Sequence, residues 1–118
     1  MVDLSMITKN NAAYYMNMIG FGKEAPQNSH SNRSPFYDLL KDCNSEEYMR
    51  FIKVYKTMQY VLSKREKLVL DKIYGVDSEI EILREIAKEI NVTQERVRQI
   101  RYKANVKISR ELKRIFRI

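Results

Sequence analysis

Residues 83–108 read Leu-Arg-Glu-Ile-Ala-Lys-Glu-Ile-Asn-Val-Thr-Gln-Glu-Arg-Val-Arg-Gln-Ile-Arg-Tyr-Lys-Ala-Asn-Val-Lys-Ile. Leu83, Ile86, Ala87 and Ile90 recur at helical spacing and give a first segment one apolar face. The pattern breaks at Asn91-Val92-Thr93. Asn tolerates the left-handed conformation that ends a helix, and Thr caps the next one. The pattern resumes as one long stripe through Val97, Ile100, Ala104, Ile108, Leu112 and Ile115. Two helices joined by so short a turn cannot lie parallel. They cross steeply and bury their stripes in the corner, which is a helix-turn-helix over about 80–109.

The other side of the second helix carries the chemistry. Gln94, Glu95, Arg98 and Gln99 fall in its first turns and point away from the stripe. Their donors and acceptors suit base edges in the major groove, and this motif docks by the N-terminal end of its second helix. A plainer reading makes Glu95 only a favourable charge at a helix N-terminus, and Arg96 and Arg101 ordinary solvent-facing side chains.

Charge is placed unevenly along the chain. Of the net +7, residues 93–118 carry 9 Lys and Arg against 2 Asp and Glu, net +7 by themselves. A basic last helix attracts a phosphate backbone through salt-dependent counterion release. Lys103 and Lys107 join Arg96 and Arg101 as candidate backbone contacts. The alternative is a charged face that serves solubility alone.

With 118 residues the chain has material for one modest core. No apolar run is long enough to span a bilayer, and the first residues lack the pattern of a secretory signal. A single cysteine, Cys43, cannot form an internal disulfide, which fits a reducing cytoplasm. No Cys/His set has metal-ligand spacing, no glycine loop is built to cradle phosphate, and no nucleophile has a base nearby in sequence. Neither an enzyme nor a cofactor is expected.

Upstream, an α-helix is expected at about 11–19, with Met and Tyr suited either to the core or to a docking surface. Residues 20–35 hold two of the three glycines, both prolines and the only histidine, His30, and read as a linker. A short helix is expected over 35–40. Asn44 with Glu47 three positions on marks the start of a helix over 45–61, whose apolar face includes Tyr48, Phe51, Ile52, Tyr55 and Met58. Ser63 and Glu66 form a capping box for a helix that packs Leu68, Val69, Leu70, Ile73 and Tyr74 inward and ends at Gly75. Ser78 and Glu81 suggest a further capping box before the helix through Ile90. The last helix, about 35 Å long, exceeds what a small core needs. Its apolar end must therefore pack on the N-terminal half or on another molecule. The division expected is an N-terminal segment and linker, 1–35, and a helical DNA-binding domain, 36–118.

Val-Thr-Gln-Glu-Arg-Val-Arg-Gln-Ile, residues 92–100, resembles the signature of region four of housekeeping-class bacterial sigma factors. Leu-Ser-Lys-Arg-Glu-Lys-Leu-Val-Leu-Asp-Lys-Ile-Tyr-Gly, residues 62–75, is similar to that region's opening helix and terminating glycine. The resemblance runs from residue 62 to about 109. It implies an all-α fold: a small helical bundle with a C-terminal helix-turn-helix of region-four type and a long last helix. It also implies binding to double-stranded promoter DNA and to the flap of RNA polymerase. In this resemblance Thr93 caps the recognition helix. Glu95, Arg98 and Gln99 face bases or adjacent phosphates, the backbone at Leu83 touches a phosphate, and Arg65 contacts the DNA backbone.

The sequence also departs from that family. Gln94 stands where Arg is usual, which shifts preference from guanine toward adenine. Ile82 replaces a capping Thr, and Arg101 replaces a Glu. Asn105 replaces a core Leu, with Val106 expected to take over that packing. The first 60 residues carry no motif resembling region two, the promoter-melting module. The expected function is therefore a short sigma-like, sequence-specific transcription regulator of bacteria or phages, acting in the cytoplasm at the nucleoid rather than initiating alone. The alternative is a protein-interaction module that binds the polymerase flap or an anti-sigma factor without reading DNA. Modules of this kind usually act as monomers, and the apolar stripe at the C-terminus would permit a homodimer, so the oligomeric state is left open.

Overall fold

The computed structural model describes residues 7–21 and 39–117. These contain five α-helices and no strand: α1 (Lys9–Met18), α2 (Glu46–Met58), α3 (Lys64–Tyr74), α4 (Leu83–Glu89) and α5 (Gln94–Phe116), with a 3₁₀ turn, Gln59–Val61, between α2 and α3. Most of the expected short helix over 35–40, all but its last two residues, and most of the expected linker, His30 included, lie outside the described residues.

Local chemistry accounts for most helix ends. Thr8, Ser45, Ser63 and Thr93 are N-caps, and each side chain accepts an N–H from the third residue on. At α2 the cap is thus Ser45 rather than Asn44. The Ser63–Glu66 capping box is complete in both directions. Gly75 ends α3 in the left-handed conformation, with φ 75°. A Cβ there would come within 2.7 Å of Ile80 Cγ1, so glycine is required by both backbone and space. Asn91 closes the turn between α4 and α5 with φ 57°.

The Ser78–Glu81 box does not form. Ile82 precedes α4 without a side-chain cap. Glu81 is committed elsewhere: its N–H donates to the Lys72 carbonyl at 2.9 Å, and its carboxylate takes the Lys72 ammonium at 2.9 Å. Lys72 also reaches Glu89 at 2.5 Å, so one α3 side chain ties the connecting loop to α4. Hydrogen bonds to Glu81 and then Glu89 raise the Lys72 pKa, keeping it charged.

The long helix α5 packs against α1, α3, α4 and the 3₁₀ turn. Val97, Ile100, Ala104, Ile108 and Leu112 are buried along it, and Ile115 and Phe116 pack against the core's edge. The C-terminal stripe is thus covered from within the chain. Helix α1 contributes Ala12, Tyr15, Met16 and Ile19 to the same core. Tyr15 stacks on Phe51 of α2 at 4.6 Å, and Phe51 and Tyr55 each meet Tyr74 of α3 edge-on at 5.0 Å. The hydroxyls of α2 secure α3: Tyr48 donates to the Tyr74 carbonyl at 2.6 Å, and Tyr55 to Asp71 at 2.7 Å.

Three further expectations are corrected. Leu68 is 42% exposed; on α3 the inward positions are Val69, Leu70, Ile73 and Tyr74. Asn105 itself occupies the core at 4% exposure, its Oδ1 accepting the Tyr74 hydroxyl at 3.2 Å, while Val106 is only half-buried. Gly20 and Phe21 belong to the folded body rather than to a linker. The Phe21 N–H bonds the Met16 carbonyl at 2.8 Å, and the ring packs against the core.

Candidate nucleic-acid interface

The turn 90–93 places α5 across the end of α4. The Ile90 cap N–H returns to the Ile86 and Lys88 carbonyls, and the Val92 N–H returns to Ala87 at 3.0 Å. Ile86 and Ala87 of α4 are buried with Val97 and Ile100 of α5 in the resulting corner. The opposite face of the first turns of α5 is left to solvent.

Gln94, Glu95, Arg98 and Gln99 are all exposed there. Arg98 grips Glu95 with two bonds, Nε to Oε2 at 2.8 Å and a terminal nitrogen to Oε1 at 2.5 Å. The Arg98 guanidinium holds the Glu95 carboxyl below the ordinary range, and Glu95 raises the arginine in turn. The pair presents donors and acceptors at a fixed spacing on the helix surface. Next to it, Arg96, Arg98, Gln99, Tyr102 and Lys103 line an open hollow of roughly 360 Å³.

The proposed backbone contacts are more dispersed. Arg96 and Lys103 are exposed beside Arg98 and Gln99, and Arg101 is half-buried on the flank toward α1. Arg65 is exposed in the first turn of α3, and Leu83 is the half-buried first residue of α4. Lys107 reaches Glu66 at 2.7 Å and so braces α5 against the start of α3. Burial alone would raise the Glu66 pKa; bonds from Lys107 and from the Ser63 N–H outweigh it and hold the carboxyl low.

Two features escape a reading of the sequence. The Lys107–Glu66 contact joins residues 41 apart, and nothing local announces it. Tyr102, 58% exposed on the outer face of α5, meets Phe21 with ring centroids 5.6 Å apart. Its spacing of four from Arg98 and three from Gln99 was the available signal. The Glu95–Arg98 pair was also legible as an acid and a base three apart.

Residues 61–110 match the family model of sigma-70, region 4. This segment, under half of the chain, is similar to sigma-70 region 4. The match begins at the end of the 3₁₀ turn, takes in α3 and α4, and ends within α5; α1 and α2 lie outside it. Region 4 domains are helix-turn-helix modules that bind DNA and RNA polymerase. No curated protein and no solved structure matches the chain. Among the described residues, no helix is long and apolar enough to cross a membrane, and no three His, Cys, Asp or Glu side chains are grouped as metal ligands would be.

Proposed function

We propose that the protein is a sequence-specific DNA-binding regulator that lays α5 in the major groove. Gln94, Glu95, Arg98 and Gln99 read base edges. Arg65, the backbone at Leu83, Arg96, Arg101 and Lys103 meet phosphates, with Lys107 at the edge of the contact. The observation that carries this reading is the set of four exposed polar side chains on one outer face of a basic helix, over a formed helix-turn-helix. Its work is binding and not catalysis, it needs no cofactor, and it is done at the nucleoid in the cytoplasm.

Selection from a random duplex pool at two salt concentrations tests it. A motif about one half-site long, with adenine enriched opposite Gln94, is the expected result. A palindrome would assign a homodimer. Arg98→Ala should erase discrimination at its base, a loss of about 1–3 kcal/mol. Binding without any motif would reject sequence reading.

A second reading has its own observation. Leu40, Ile73, Ile80, Ile82 and Leu83 line an apolar groove beside α3 and α4, with Ile80 and Ile82 40% and 54% exposed. Such a surface fits a helix of a protein partner, RNA polymerase above all for a region 4 domain. Capture of polymerase that survives Arg98→Ala and Gln99→Ala, with no duplex binding, would select this role alone.

A further inference from the structure

The region 4 match ends at Arg110 and begins at Val61, so α1 lies outside it. Yet the C-terminal end of α1 sits on the flank of the recognition helix. Gly20, with φ 87°, turns the chain after Ile19, which is 5% exposed. Phe21 is then fixed by its N–H bond to Met16 and lies against Tyr102.

Tyr102 is an unusual residue to leave on the surface of a basic helix. It stands one turn beyond Arg98 and Gln99 on the same face. It also forms a ridge between two hollows. One is lined by Arg96, Gln99 and Lys103, the other by Phe21, Arg101 and Asn105, and Arg98 borders both. A tyrosine combines an apolar ring, here met on one side by Phe21, with a hydroxyl able to donate a hydrogen bond. Tyrosine hydroxyls are among the groups that hold duplex phosphates and fix a protein's register. A ring already held in place loses less freedom on binding than an unsupported one.

We propose that Tyr102 is a further DNA contact, donating its hydroxyl to a phosphate at the groove edge, and that Phe21 is the positioning residue that holds its ring there. The inference rests on the reading of α5 as the DNA-reading helix. It makes the N-terminal helix a working part of the interface, although that helix lies outside the region 4 match.

The test uses the full chain and two duplexes, the selected motif and a scrambled one, titrated across several salt concentrations. Tyr102→Phe keeps the ring and removes only the hydroxyl. It should weaken both duplexes about fivefold, the loss of one hydrogen bond. The salt slope should stay unchanged, because no charge is lost. Phe21→Ala should weaken binding by a similar factor, and Phe21→Tyr, which keeps a ring, should restore it. In the Tyr102→Phe background, Phe21→Ala should add nothing, which a general loss of folding would not reproduce.

If Tyr102→Phe and Phe21→Ala bind like the parent while Arg98→Ala loses the motif, the proposal falls and the DNA-reading function stands. A loss confined to the selected motif would make Tyr102 a base reader and overturn the phosphate assignment. If the parent chain binds neither duplex, the functional reading itself fails and takes this inference with it.

Discussion

At Glu95 and Arg98 an acid and a base share one surface, and on the proposed DNA-reading function their pairing should cost affinity. In the proposed docking of α5, Glu95 would carry a negative charge into a phosphate-lined groove and occupy the guanidinium otherwise presented to the duplex. Glu95→Gln should therefore raise affinity for scrambled duplex several-fold and narrow the gap to the selected motif, as read in paired titrations. The pH dependence follows from the sign of the shift. Arg98 lowers the Glu95 pKa, so the pair persists through neutral and mildly acid solution and breaks only as pH falls through that lowered value. The parent's affinity should rise there, and the Glu95→Gln variant should lack that component. Gly75 is constrained in a different way. Gly75→Ala must place a Cβ in left-handed backbone and against Ile80. A loss of about 1–2 kcal/mol is expected in denaturant titration.

The helices divide into those whose ends are written locally and those whose ends depend on distant partners. Ser63 and Thr93, with Gly75 and Asn91, mark starts and stops that the sequence itself announces, because each acts through a backbone group three or four residues away, and at α2 the cap falls one residue on, at Ser45. Residues 75–82 defeat the same logic. Ser78 and Glu81 have the spacing of a cap, but Lys72 competes for Glu81, and that competition exists only once α3 is formed. Leu68 misled for a related reason, since an apolar residue at helical spacing says nothing about which neighbour covers it. Asn105 was legible as a departure but not as a solution: its acceptor meets Tyr74 from another helix. A double-mutant cycle of Tyr74→Phe and Asn105→Leu should give a coupling of about 1 kcal/mol, with the double variant closer to the parent than the singles predict. The start of α3 supplies a pH test. Glu66 is held below its ordinary pKa, so it contributes stability that is present above the unfolded carboxylate range, near pH ~4.3, and lost as pH falls through the lowered folded value. Glu66→Gln should reduce stability at neutral pH and flatten the acid limb of the unfolding curve.

Across the whole molecule, the candidate interface was more readable than the body that supports it. Glu95, Arg98 and Gln99 emerge from phase alone, since they oppose the stripe of α5, whereas Gln94 is picked out only by its place at the exposed first position of the helix. The role of α1 does not, because its apolar residues show no clean period and their partners lie on α2 and α5. Tyr15 is fully enclosed against Phe51, and Tyr15→Ala should cost about 3–5 kcal/mol in chemical denaturation. Hydrogen exchange should show the α1 amides protected together with those of α5, as expected for one cooperative unit.

The length of α5 has a last consequence. On the proposed function one helix serves as both the keel of the core and the reading head, so its positions are sorted by angle and not by stretch. A substitution scan along 94–116 should yield two interleaved waves with the same 3.6-residue period. Stability losses should crest at Val97, Ile100, Ala104, Ile108 and Leu112, and binding losses should crest nearly half a turn away, at Arg98, Gln99 and Tyr102. Mutations that retune the DNA preference can then accumulate on one wave while the other, and the fold with it, stays untouched.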